Sequence, residues 1–152
     1  MLSGALCEKE PVTVKGDSTM NAHVETAPTF KPPVNAVVWF EIPVSDLEAG
    51  SRFYASVLQN ELTIQEMGPN RTANFAYEQG AGGVSGHLYV GKPATNGNGP
   101  TIHLPVPDSL EESLKRLKQA GGSVISPIIE IPAGRFAYCL DPDGNSLGLF
   151  SR

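Results

Sequence analysis

Few side chains in this 152-residue sequence can carry chemistry. The imidazoles are His23, His87 and His103, and the thiols are Cys7 and Cys139. Glu41 stands in the apolar run AVVWFEIPV (residues 36–44), two places after Trp39. Along a strand, residues two apart share a face, so indole and carboxylate would point the same way. A carboxylate turned into an enclosed apolar space is costly unless paired. Arg52, Arg71 or Arg135 could supply a structural partner; an unpaired Glu41 beside Trp39 would instead suit a flat or cationic ligand. A histidine in a cleft, such as His87 or His103, can act as a general base, because its reference pKa lies near neutrality. Phe75, Tyr77, Phe136 and Tyr138 would line such a cleft with apolar surface and hydroxyl tips, or else fill it as core.

These residues need elements to position them, and the chain supplies a regular series from Asn35 onward. AVVWFEIPV is β-branched and apolar, so it reads as a strand. Ser45–Glu48 has the spacing of a capping box. Leu47, Tyr54, Val57 and Leu58 then fall on one helical stripe, interrupted by Gly50. ELTIQEM, ANFAYEQ and VSGHLYVG follow as strands, with GPNR as a turn. After the Gly-, Pro- and Asn-rich linker KPATNGNGP the scheme recurs: strand TIHLPV, a capping box at Ser109–Glu112, and a stripe of Leu110, Leu114 and Leu117 closed by Gly121 and Gly122. SVISPIIEI, GRFAYCL and NSLGLFS complete it, with Pro127 and Pro132 placing the first of these at a sheet edge. DPDGN (residues 141–145) reads as a hairpin turn. It lacks the ligand spacing and closing Glu of a calcium loop.

The match of Phe75-Ala-Tyr77 with Phe136-Ala-Tyr138 suggests a repeat. Ten residues beyond each tyrosine stand His87 and Gly148. Each half is thus expected to be a βαβββ module, about 35–91 and 100–151, and neither half is large enough to bury a comfortable core alone. The expected fold class is α+β, with two paired modules forming a cupped mixed sheet, helices outside and a cleft within.

Composition narrows the partners. Hydrophobic residues make up 40% and charged residues 18%, an ordinary globular mix. The net charge of −5 and the absence of a basic run argue against nucleic acid. No apolar run reaches the length of a membrane span, so no membrane association is expected. Two cysteines, Cys7 in the N-terminal extension and Cys139 in a strand, give no disulfide framework and fit a reducing cytoplasm. Residues 1–33, which hold His23 and Cys7, have no sustained period and end in a Pro pair; they read as a flexible extension before a domain at 34–152, without a secretory signal.

WFEIPVSDLEAGSRFYASVL, KRLKQAGGSVI and GRFAYCLDPDGNSLGLF together resemble the vicinal oxygen chelate superfamily, which includes glyoxalase I, bleomycin-resistance proteins, fosfomycin-resistance enzymes and extradiol dioxygenases. The resemblance implies a paired βαβββ fold and, in metal-dependent members, four His, Glu or Gln ligands from the first and last strand of each module. Carried over by count, those positions hold Trp39, His87, Ile102 and Gly148. If Pro107 makes a bulge, His103 replaces Ile102 as the inward residue. No metal and no cofactor are therefore expected. The expected ligand-binding set is Trp39, Glu41, Phe75, Tyr77, His87, His103, Phe136 and Tyr138, around a small organic ligand. The alternatives are a lyase or dioxygenase with a divalent metal, and a structural or interaction protein with a filled cup. Many members form homodimers, and a homodimer is expected here.

Overall fold

The computed structural model describes residues 31–152; the expectations for His23, Cys7 and nearly all of the extension at 1–33 lie outside the described residues. The first strand, β1 (Phe40–Val44), is shorter than its apolar run, and Trp39 lies just before it. Helix α1 (Leu47–Leu58) follows. Its cap is Asp46, whose carboxylate accepts the Ala49 N–H at 2.6 Å, and not Ser45 as the capping-box spacing suggests. Ser45 is engaged elsewhere, donating through both backbone N–H (3.0 Å) and hydroxyl (2.5 Å) to the Asp143 carboxylate. Strands β2 (Leu62–Met67), β3 (Asn70–Phe75) and β4 (Gly86–Val90) finish the first module in the order β1-β4-β3-β2.

The second module begins with β5 (Ile102–Pro105) and α2 (Leu110–Gln119). Here the serine does cap the helix: the Ser109 hydroxyl accepts the Glu112 N–H at 3.2 Å. The segment SVISPIIEI splits into β6 (Ser123–Val124) and β7 (Ile129–Ile131), two short pieces pairing with β8 (Gly134–Leu140) on either side of Pro127. β9 (Ser146–Ser151) lies between β8 and β5. The class is α+β, built as two βαβββ modules. The strands form separate four- and five-stranded sheets and do not hydrogen-bond into one cup.

From Pro33 to Arg152 the chain makes one unit with one core. The helical stripes are buried as read: Leu47, Tyr54, Val57 and Leu58 on α1, and Leu110, Leu114 and Leu117 on α2. They meet Ile42, Val44, Ala73, Leu88, Leu104, Ala137, Leu147 and Leu149, which are the helix-facing residues of both sheets. Alternation leaves the other residues of those strands on the sheet faces away from the helices, called here the open faces.

The DPDGN segment does more than turn. Gly144 adopts φ +90°, as the turn requires. Asp141, 4% exposed, accepts four hydrogen bonds: the N–H groups of Asp143 (3.0 Å) and Asn145 (2.8 Å), the Asn145 side-chain amide (2.8 Å) and the Tyr54 hydroxyl of α1 (2.9 Å). The Asn145 amide also donates to the Pro43 carbonyl on β1 at 2.8 Å, and its oxygen accepts from Ala94 N–H at 3.3 Å. With Asp143 on Ser45, this loop of the second module bonds to β1, the turn after it and α1 of the first.

Candidate functional site on the open sheet faces

Strand register decides which candidates share a face. In the first module Glu41 lies opposite His87, and His87 lies opposite Asn74. In the second, His103 lies opposite Gly148, and Gly148 lies opposite Tyr138. Ala73↔Leu88 and Ala137↔Leu149 set the same correspondence on the helix side. The structural counterpart of Tyr138 is therefore Asn74. The Phe-Ala-Tyr match of the sequence is out of register by three residues, because His87 follows its partner Asn74 by thirteen residues and Gly148 follows its partner Tyr138 by ten.

Several expectations change accordingly. Phe75 does not line the open face. It is 8% exposed on the helix side, with its ring 5.4 Å from both Phe40 and Tyr54. Tyr77 lies beyond the end of β3 and is 46% exposed. Both border a cavity of about 380 Å³ that also touches His103. Ile102 packs against the core, and His103 is the open-face residue of β5. No bulge is needed for this, since β5 pairs regularly with β9 from Ile102↔Leu147 to Pro105↔Phe150. The partner of His87 in β1 is Glu41, whereas the count along the sequence arrives at Trp39.

In the first module the three residues make a chain. The Trp39 indole N–H donates to His87 Nδ1 at 2.8 Å, and His87 Nε2 stands 3.3 Å from Glu41 Oε1. Because Nδ1 accepts, it carries no proton, so the ring is the neutral tautomer with its proton on Nε2, aimed at the carboxylate. His87 is 4% exposed, Trp39 38%, and the Glu41 side chain 59%. Glu41 is thus not enclosed. It also lacks an arginine: Arg71 pairs with Glu48 and Glu66, Arg135 with Glu111, and Glu41 has only His87 among the described residues.

In the second module His103 lies against Gly148, where a Cβ would run into its ring. A side chain at this position would have to displace the His103 ring. His103 also meets Phe136 and Tyr138 edge-on, at 5.0 and 5.9 Å between centroids, and these two meet each other at 5.2 Å. Phe136 is buried and Tyr138 is 36% exposed. Ile131, Phe136, Phe150 and His103 enclose an open apolar cavity of about 420 Å³.

The two groups do not share one cup. Trp39 and Glu41 border a cavity of about 350 Å³ at the seam between the modules, with Ile102, Ser146 and Leu147 across from them. His103 borders the cavities at the other end of the seam and on the second sheet. Of the residues singled out in the sequence as ligand-binding, Trp39 and Glu41 border this cavity and His87 does not; Ile102, Asn98 and Leu147 line it as well, because docking of the modules brings them there.

Comparison with known proteins places this geometry. Residues 36–149 match the family profile described as Glyoxalase/Bleomycin resistance protein/Dioxygenase superfamily. The chain belongs to this superfamily. Among solved structures it is similar to a superfamily member from Sphaerobacter thermophilus, at 26% identity and TM-score 0.54, covering 78% of this chain and 98% of that one. It is similar too to a glyoxalase/bleomycin resistance protein from a Streptomyces species, at 29% identity and TM-score 0.53, covering 74% and 96%. A third, from Albidiferax ferrireducens, shares the fold at 21% identity and TM-score 0.56, covering 78% and 99%. No curated protein sequence matches the chain.

Metal-dependent members of this glyoxalase-like superfamily would need ligands at Glu41, His87, His103 and Gly148 by the observed register. The residues present do not fit a divalent ion. Both His87 nitrogens are engaged, Gly148 has no donor and is covered by His103, and Glu41, His87 and His103 do not gather into one group. Among the described residues no three His, Cys, Asp or Glu side chains gather closely enough to hold a metal. Cys139 is buried, and burial pushes its thiol up to about 11. No helix among the described residues is long and apolar enough to cross a membrane.

Proposed function

We propose that this glyoxalase/bleomycin-resistance-like protein binds a small organic molecule without a metal, along the open faces and the seam between them. The residues that would meet it form two separate groups, Trp39, Glu41 and His87 at the first sheet and His103, Phe136 and Tyr138 at the second. The observation carrying this reading is the Trp39–His87–Glu41 chain, in which the imidazole at a family ligand position has both nitrogens occupied by protein. Cavities of about 350 to 420 Å³ with mostly apolar walls and a few polar tips support it, since small-molecule sites are built this way. The role fits sequestration or regulation better than turnover, because neither histidine has a neighbour arranged to activate a nucleophile. A cytoplasmic homodimer belongs to the same reading, favoured by the apolar open face of the second sheet.

Two measurements test it. Elemental analysis of the purified protein is expected to find no stoichiometric Zn, Ni, Mn or Fe; one equivalent of any of them overturns the metal-free reading. A thermal-shift screen of small organic molecules is expected to yield compounds that raise the melting temperature, because a ligand of the native state stabilises it. Trp39 is the sole tryptophan, so its fluorescence reports directly on the site. Compounds that bind Trp39→Ala as well as the parent protein would remove the indole from the site.

A further inference from the structure

Resting on that reading, we propose that the seam cavity beside Trp39 takes a flat organic cation. The carrying observation is the charge of its wall. Of the residues lining this cavity, Glu41 is the one with a charged side chain. Val37, Ile42, Ile102 and Leu147 make it apolar, and its other polar residues, such as Asn98 and Ser146, are neutral.

The local geometry keeps the carboxylate available. Its partner, His87, is held in the neutral tautomer by the indole N–H, so the contact orients Glu41 without cancelling its charge. The arginines that could have neutralised it are paired with other acids or are not in contact with it. Trp39 has its only polar atom committed to His87, which leaves its exposed part as π-surface beside the carboxylate. An aromatic ring next to an acid in an apolar recess recognises a cation that is itself apolar, of the N-alkylated heteroaromatic kind. A hydrated inorganic cation would keep its water here and gain nothing from the apolar walls. The cavity volume of about 350 Å³ accommodates one or two fused rings. The net charge of −5 draws cations toward the protein as a whole.

Isothermal titration with three probes of one shape tests this: 1-methylquinolinium, uncharged quinoline at pH 8, and quinoline-2-carboxylate. The cation is expected to bind about tenfold or more tighter than quinoline, and the anion weakest. Glu41→Gln is expected to erase the preference for the cation and leave quinoline unchanged; its half-exposed position makes it a substitution the fold accepts, which a melting curve verifies. Trp39→Leu is expected to weaken cation and quinoline together. Equal affinity for cation and quinoline, an unaltered preference in Glu41→Gln, or no heat from any probe at millimolar concentration each overturns the cation inference. None of these touches the underlying reading, which fails only if the wider thermal-shift screen finds no stabilising organic molecule.

Discussion

Replacing Asp141 is expected to loosen the joint between the modules, and the hydrogen-bond geometry sets the size of the effect. Asp141→Ala removes the acceptor for four donors: two backbone N–H groups of its own loop, the Asn145 amide and the Tyr54 hydroxyl. The Asn145 amide keeps the Pro43 carbonyl, so its loss is partial. Tyr54 is 1% exposed, and among the described residues its hydroxyl has Asp141 as its one hydrogen-bond partner. A buried donor left unsatisfied costs about 1–3 kcal/mol. With the tyrosine hydroxyl and at least one loop N–H orphaned, Asp141→Ala is expected to cost about 3–5 kcal/mol, a large fraction of the stability of a domain this size. Tyr54→Phe removes the donor instead, leaves Oδ2 bonded to Asn145, and is expected to cost about 1–2 kcal/mol. Urea unfolding at pH 7 measures both, and the double variant should cost clearly less than the sum because the residues share one bond. If Asp141→Ala stays within about 0.5 kcal/mol of the parent protein, DPDGN is only a hairpin turn and the claim that it joins the modules is wrong.

Two further predictions follow from the second module. Gly148→Ala is expected to push His103 off its seat and break its edge contacts with Phe136 and Tyr138, costing about 1–2 kcal/mol at the usual worth of ring pairs; unfolding curves give the cost, and unchanged His103 ring shifts in NMR would refute the displacement. Burial raises Cys139 from 9.0 to about 11 and holds Tyr54 well above 10, so above pH 9 the unfolded chain releases protons that the native state retains. Stability is therefore expected to fall as pH climbs from 9 to 11, and Cys139→Ala should flatten part of that fall in a series of denaturation midpoints; an identical slope in the variant would count against a buried, protonated thiol.

The fold was legible in the sequence wherever periodicity reports burial. Both helical stripes and the edge placement forced by Pro127 depend on neighbours within a few residues and are found as read, whereas the strands keep their order but shift their ends: β1 is shorter than its apolar run and β3 stops before Tyr77. The candidate site was legible only in part. Trp39, Glu41 and His87 were identifiable by alternation and by count, yet their connection, indole to imidazole to carboxylate, exists because β1 pairs in parallel with β4 across forty-odd intervening residues. Counting along the chain failed where the strand-to-strand spacing differs between modules, which put Tyr77 and Phe75 where Asn74 and Thr72 belong. It failed again at Ser45, whose local capping role was lost to a carboxylate ninety-eight residues away.

By itself, then, the sequence determined the two βαβββ modules, their buried stripes and the poverty of metal donors at Gly148, since these are consequences of side-chain type and local spacing. Only the tertiary structure decided that His103 occupies the space a side chain at 148 would fill, that His87 is closed off by Trp39 and Glu41, and that Asp141 and Asn145 bind the modules together. The physical reason is that register and docking are set by the whole set of long-range contacts, and a shift of one residue turns every side chain of a strand to the opposite face.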